Sequence, residues 1–540
     1  MSPIGIDVRR FGWIRPLAGD YAFDFPKIAG LFAGDPRSDD AWRSAIDRTQ
    51  RHPRRRDAIA AVIAAQQERR GASAPALEAG AHLASAETVA ILTGQQAGVF
   101  GGPLFTLLKA VTAIQLARRA AAEYGARAIP VFWVDAEDHD WEEVRSGTVL
   151  DSEFQPRTIS IAPPEGAGEL PVAALTLDAR IEPSLEEMAA ALGSSDFSDW
   201  VMASLRAAYQ PGVGMAHAFA RWIEGLLGPY GLVVFESADP AAKPLVSSVF
   251  TRELEAPGRT AALATAAGEV LATRGHQPQV MPQPDSLSLF HLDGARTPIR
   301  RQGDQFLVGD TPVHGAALVA EAAQQPAHFS PNVLLRPIVQ DTLFPTICYV
   351  AGPSELAYLG QLGGVYEQFG VPMPLMYPRA SATLVDAPTA RFLQKYEFPI
   401  EELQRQDESA LNRLLQSLLP PEVEQALAQA DQAVHESLQR VIDAMPALDP
   451  TLAGAARTTL GKMEHDLRGL QAKVIQTAKR RDETLRRQFK RAQAQIFPQG
   501  HPQERTLAVV FFLNRYGPAL VDRLLSELPL ELGRHWIMTI

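Results

Sequence analysis

The stretch from Thr88 to Glu143 constrains the fold most. It reads TVAILTGQQAGVFGGPLFTLLKAVTAIQLA and continues through IPVFWVDAEDHDWEEV. The apolar, β-branched run from Val89 to Leu92 predicts a buried strand ending at Thr93 and Gly94. A loop with Gly94, Gly98, Gly101 and Gly102 follows. Leu104 to Ala117 then repeats apolar residues at helical spacing, and Ile129 to Val134 predicts a second buried strand. A glycine loop entering a helix can leave backbone N–H groups free to hold an anion. The acidic turn after the second strand would lie at the same sheet edge, where α/β proteins bind ligands.

The rest of the chain alternates in the same way. Residues 1–40 read as an irregular arm, and Asp39 to Arg70 as helical, with His52 to Arg56 as a solvated basic face. Residues 150–195 read as a β-rich insertion. Helical spacing returns at Phe197 to Leu227, and GLVVFE (231–236) is another buried strand. A second β-rich region spans about 268–312. Asn332 to Val339 and Thr346 to Ala351 are strand candidates, with a loop and helix before Met373 to Met376. This alternation predicts an α/β fold: a doubly wound, mostly parallel sheet carrying insertions. After about Asp386 the pattern changes. Val423, Leu427, Ala430, Val434, Leu438 and Val441 step by three and four. After a proline-containing loop, Leu460, Met463, Leu467, Leu470 and Val474 do so again, and Ala478 to Ile496 continue after a slip. That predicts an antiparallel coiled-coil arm, the second helix about 40 residues long and roughly 60 Å. The domain expectation is a core over 1–385, a helical domain over 386–497, and a tail over 498–540 packing back on the core.

The 540 residues carry a net charge of -11, which argues against general nucleic-acid binding. The basic run near Lys479 to Arg491 is punctuated by acids and lacks aromatic interleaving. A single cysteine, Cys348, excludes an internal disulfide and fits a reducing cytoplasm. No segment approaches the ~20 apolar residues of a membrane span, so no membrane partner is expected.

Three constellations can carry chemistry. TGQQAGVFGGP is neither a Walker A motif nor a G-x-G-x-x-G fingerprint. It reads either as a tight strand-to-helix turn or as a binding loop. In the second reading Thr93, Gly94, Gln95, Gln96 and Gly98 offer hydroxyl, amide and backbone donors. Lys109, two turns into the helix, reads as a surface residue. DAEDHD reads as a helix cap, as a magnesium site, or as acid–base machinery in which His139 works with Glu137 and Asp138. In SPNVLLRPIVQDTLFPT, Arg336, Gln340 and Asp341 stand in apolar sequence. They read as a structural Arg–Asp pair or as a carboxylate or phosphate site built on the planar guanidinium. Glu355 and Tyr358 follow in a loop-to-helix start. There is no G-x-S-x-G elbow.

At these residues, and in PVFWVDAEDHDWEEV, YVAGPSELAYLGQL, FGVPMPLMYPR and QERTLAVVFFLNRYGP, the chain resembles the BshC family of bacillithiol biosynthesis over nearly its whole length. The resemblance implies a Rossmann-like core with connecting-peptide insertions, a coiled-coil arm and a homodimer. It implies a cysteine ligase acting on cysteine and glucosaminyl-malate. Amide formation from a free carboxylate implies ATP, with ADP as a possible bound nucleotide and magnesium left open. HIGH and KMSKS motifs are absent, with GQQAG standing where HIGH would be expected. The sites expected are Gln96, Glu137, Asp138 and His139 at the reacting centre. Thr93, Gly94, Gln95, Gly98, Arg336, Gln340, Asp341, Glu355 and Tyr358 are expected around the substrate, with no protein-held metal. The alternative is a nucleotide-binding coiled-coil dimer with a scaffold or regulatory role.

Overall fold

The computed structural model describes residues 2–303, 305–449, 451–481 and 483–540, and of residues 478–481 the backbone only. By internal contact the chain divides into two compact units. One is Met1–Leu384 with Gln503–Met538 and Ile540, and the other is Val385–Pro502 with Thr539.

The first unit is built on a five-stranded parallel sheet. Its strands are β1 (Thr88–Gln96), β2 (Arg127–Asp135), β3 (Val233–Glu236), β4 (Thr346–Ala351) and β5 (Leu375–Pro378). Their order is β5-β4-β1-β2-β3. The chain leaves β1 in one direction through β2 to β3, then returns to its other side with β4 and β5. The topological switch therefore falls between β1 and β4, where such sheets open a crevice beyond their strand ends. The strands read as continuous apolar runs because both faces are covered. Ala90, Leu92, Val131 and Trp133 enter one buried cluster, while Phe132, Val134 and Val234 enter another. The helix after β1, α1 (Leu104–Tyr124), packs on β1 and β2.

An antiparallel sheet is inserted between β3 and β4, made of Ser286–Asp293, Ala295–Gln302, Gln305–Val308, Thr311–His314 and Phe329–Pro331. Helix α2 (Gly315–Gln324) packs beside it. The second unit holds Pro421–Ala444 and Leu452–Arg481 as the two long helices of a hairpin, and Glu483–Ile496 follows. His435 Nδ1 lies 3.0 Å from Glu464 Oε1 across the hairpin. Ile442, Ala453 and Leu460 are buried. Asp482, inside the expected 40-residue helix, and the side chain of Ala478 lie outside the described residues.

Several local expectations are corrected. β1 continues through Gln96, so Gln95 and Gln96 sit on a strand end and the turn begins at Ala97. Asn332 to Val339 is not a strand; the chain enters helix α3 (Arg336–Leu343). Asn332 Oδ1 accepts the N–H groups of Leu334 and Leu335 at 2.9 and 3.2 Å, and Pro337 occupies the first helical turn. The Asn332 side-chain turn just before the helix, with a proline in its first turn, outweighs the apolar run there. Residues 150–195 supply one two-stranded ribbon, Ser146–Leu150 with Pro156–Ser160, and then a helix, Ile181–Leu192. The helix-forming run EEMAAAL decides the second half. His52 to Arg56 is no solvated face. Pro53 separates two helices, and Arg54 donates to the carbonyls of Thr49 (2.8 Å) and Asp341 (3.2 Å). Arg56 reaches those of Ser85 and Thr88, both at 2.8 Å.

Candidate active site

The glycine turn faces the protein. Gly98 N–H donates to the Gln96 carbonyl at 2.8 Å, and Gly102 N–H to that of Val99 at 3.1 Å. The first helical N–H, of Leu104, donates to the Leu507 carbonyl at 2.8 Å, and Val509 N–H to the Gly102 carbonyl at 2.9 Å. A Cβ on Gly101 would come within 2.2 Å of the Trp222 ring, so glycine is required there by packing. Thr93 is buried, its hydroxyl donating to the Val350 carbonyl at 3.0 Å and tying β1 to β4. These groups shape the crevice wall, and the polar groups that open onto it come from elsewhere.

Lys109, far from being a surface residue, is buried. From α1 its ammonium reaches the Gly94 carbonyl at 2.8 Å, Gln95 Oε1 at 3.3 Å and Glu355 Oε2 at 3.0 Å. Burial lowers its pKa, with the Glu355 carboxylate opposing that shift. Glu355 follows β4 and also accepts the Gly352 N–H. One lysine thus bridges the two strand ends that flank the switch point.

Arg336 opens α3. Its guanidinium donates to Gln340 Oε1 and to the Tyr358 hydroxyl, both at 3.0 Å, and lies 3.6 Å from Asp135 Oδ2 at the end of β2. The expected alternative of an Arg336–Asp341 pair is therefore corrected. Asp341 instead accepts from Gln340 at 3.0 Å and from Tyr366 at 2.5 Å, fully buried. On a helix, positions 336 and 340 share a face and 341 turns away. Gln340 and Asp341 orient the arginine from behind. Tyr358 is buried beside it, its pKa raised by burial.

The turn after β2 divides its acids. Glu137 is buried against Lys243, which also donates to the Phe329 carbonyl at 3.0 Å. Asp138 accepts from Arg296 of the inserted sheet at 3.1 Å and stands 3.2 Å from His139 Nδ1. Asp140 caps the short helix Trp141–Val144, taking the Glu143 N–H at 3.2 Å. His139 is half exposed. Burial raises the pKa values of Asp135 and Glu137 above the ordinary carboxylate range. Glu143 is raised too, by desolvation and by Asp140, against a hydrogen bond from the Gln96 side chain. Gln96 Oε1 is buried without a hydrogen-bond partner among the described residues.

The crevice therefore gathers β1, β2 and β4 ends, α1, α3 and the inserted sheet. Its cations, Lys109, Lys243, Arg296 and Arg336, already face carboxylates, and Glu143 adds a further acid. This mixed lining suits a zwitterion, whose ammonium and carboxylate find opposite partners. It does not form an uncompensated cationic cradle for a bare triphosphate.

The profile for the bacillithiol biosynthesis BshC N-terminal Rossmann-like domain matches residues 5–380, and that for the BshC C-terminal coiled-coil domain matches residues 382–540. The chain belongs to the BshC family. Relatives from Salinibacter ruber, Symbiobacterium thermophilum and Chlorobaculum tepidum each carry the name cysteine ligase BshC, given as a candidate assignment. The first is 34% identical over 96% of this chain and 95% of its own length. The second is 34% identical, covering 98% and 97%, and the third 32%, covering 93% and 92%. Among the described residues, no helix of this BshC-family chain is long and apolar enough to cross a membrane.

Sequence reasoning missed Glu143, Lys243 and Arg296, and misplaced Lys109. Lys243 carried a usable signal, since it lies just beyond the strand GLVVFE. Arg296 carried none, because only the folded insertion brings it to Asp138.

Proposed function

We propose that this protein is a cysteine ligase of bacillithiol biosynthesis, joining the carboxylate of L-cysteine to the amine of glucosaminyl-malate. The observation that carries this reading is the convergence of Arg336, Lys109 and Glu355 with the acidic turn at the β1/β4 switch point, in a chain of this family. Forming an amide from a free carboxylate requires activation, and ATP supplies it by making the carboxylate a better acyl donor. The nucleotide phosphates would enter with a divalent cation, because the crevice acids outweigh its cations.

In this proposal Arg336 binds a substrate carboxylate through its planar fork, held in place by Tyr358, Gln340 and Asp135. Glu355 and Asp135 receive the ammonium. A carboxylate with a raised pKa is suited to accept the proton that the attacking amine must lose, and Glu137 and Glu143 are the candidates, with Asp138 and His139 beside them on the same turn. Gln96, its carbonyl unpartnered, offers an acceptor to a sugar hydroxyl or to the amine. The coiled-coil hairpin brings two copies together: Val441, Met463 and Leu470 expose 39%, 41% and 50% of their surfaces, an apolar stripe that a second hairpin would cover.

The test is incubation of the pure protein with ATP, cysteine and glucosaminyl-malate, with mass spectrometry of the products. A new species with the mass of the amide, absent without ATP, supports the reading. Nucleotide binding without any such product would favour a scaffold role.

A further inference from the structure

The inserted sheet carries a second cluster of titratable side chains, sharing no residue with the crevice. His291 lies on the strand Ser286–Asp293, Glu321 on α2, and His328 on the turn Pro326–His328. One oxygen of Glu321 meets both rings, 3.0 Å from His291 Nε2 and 2.8 Å from His328 Nδ1. One candidate ligand atom from each residue lies within 4.8 Å of the others. The side chains are 14%, 28% and 43% exposed for His291, Glu321 and His328.

The backbone fixes this arrangement. Phe329 pairs with His291 in the antiparallel register, placing His328 next to it. The Phe329 ring meets the His291 ring edge-on, centroids 5.4 Å apart. The two imidazoles stand at 74° to each other with centroids 5.9 Å apart. Both present a ring nitrogen to the same carboxylate oxygen rather than stacking.

We propose that His291, Glu321 and His328 form a binding site for a divalent transition-metal ion, zinc being the closest chemical match. Two imidazoles and one carboxylate suit zinc and disfavour magnesium or calcium, which take oxygen ligands. Ligand atoms around a tetrahedral ion at ~2.0–2.1 Å stand about 3.3 Å apart. The 2.8 and 3.0 Å separations are close to this, and the half-exposed His328 ring has room to open the rest of the shell. The fourth position faces solvent on the His328 side and takes water. With the ion bound, His291 Nε2 and His328 Nδ1 act as lone-pair donors, their protons residing on the other ring nitrogens. Any proton in excess of that leaves to solvent. The ion would pin α2 to the inserted sheet. Cys348 is buried and offers no competing thiolate.

The test uses the untagged full chain, stripped with a chelator and titrated with zinc against a chromophoric competitor. One tight equivalent is expected in the wild type, weakened at least tenfold in His328→Ala and in Glu321→Gln. His435→Ala, which removes an imidazole beside Glu464 on the hairpin, is expected to bind as the wild type does. Melting curves accompany each variant. Glu321→Gln keeps the shape of the side chain and decides the matter if His328→Ala melts early. Equal zinc uptake by wild type and both cluster variants, including uptake by none of them, would overturn the proposal.

Discussion

Lys109 Nζ lies 3.0 Å from Glu355 Oε2, so an ammonium on α1 is neutralised by a carboxylate that follows β4. The same ammonium takes the carbonyl of Gly94 on β1. This pair holds the mouth of the crevice at the strands that flank the switch point. Removing only the carboxylate leaves a buried charge uncompensated, which costs about 3 kcal/mol. Glu355→Ala is therefore expected to lower the urea unfolding free energy by about that amount. Lys109→Met combined with Glu355→Ala is expected to be more stable than the two single losses sum to, by more than about 1 kcal/mol in the double-mutant cycle. Additivity would show that the pair is not coupled.

Arg336 is held by four partners of different kinds: Asp135, Gln340, Tyr358 and the face of Tyr349, whose ring centroid lies 5.9 Å away. A lysine there keeps the charge and loses the fork. Arg336→Lys is expected to raise KM for the carboxylate substrate about tenfold, equivalent to about 1.4 kcal/mol. Steady-state rates at varied cysteine check this, and an unchanged KM would remove Arg336 from substrate binding.

The sheet was legible because Val89 to Leu92 and Ile129 to Val134 are apolar runs bounded by turn residues, a pattern that buried parallel strands require. The coiled-coil hairpin was legible from its heptads for a similar reason. The site was legible only in part. Gln96, Glu137 and Arg336 stand out as polar residues at the ends of apolar segments, but their partners do not. Lys243 meets Glu137 across more than a hundred residues, and Arg296 reaches Asp138 only because the insertion folds back. LLRPIV is apolar enough to predict a strand at Arg336, whereas the deciding signal is the Asn332 turn followed by Pro337. Lys109 looked exposed because a helical repeat says which face is apolar, not whether a cation on it finds a buried partner.

His535 adds a pH dependence outside the crevice. It is buried between Ser381 (2.7 Å) and Thr383 (2.8 Å), and burial lowers its pKa to about 4, against the pull of Glu504. Its folded pKa lies below the unfolded value near 6.5, so unfolding takes up a proton between the two. Its stabilising contribution is complete above about pH 6.5, falls as the pH drops, and is gone below about pH 4; the total is about 3 kcal/mol. Urea unfolding between pH 7 and 5 is expected to show falling stability in the wild type and a flatter profile in His535→Asn. Parallel profiles would contradict this assignment.

The proposed dimerisation through the hairpin has a direct test. Met463 and Leu470 lie on the exposed apolar stripe of the second long helix. Met463→Glu with Leu470→Glu is expected to give a monomer in sedimentation equilibrium at concentrations where the wild type is dimeric, with little change in helix content. A wild type that is monomeric, or a variant still dimeric, would place self-association elsewhere or nowhere.

The most direct test of the central claim is the product assay on wild type and Arg336→Ala, followed by mass spectrometry with cysteine, glucosaminyl-malate and ATP. The expected result is ATP-dependent accumulation of the cysteinyl amide in the wild type, reduced at least about a hundredfold in Arg336→Ala. No amide from folded, nucleotide-bound wild type, or equal amounts from both proteins, would contradict the account.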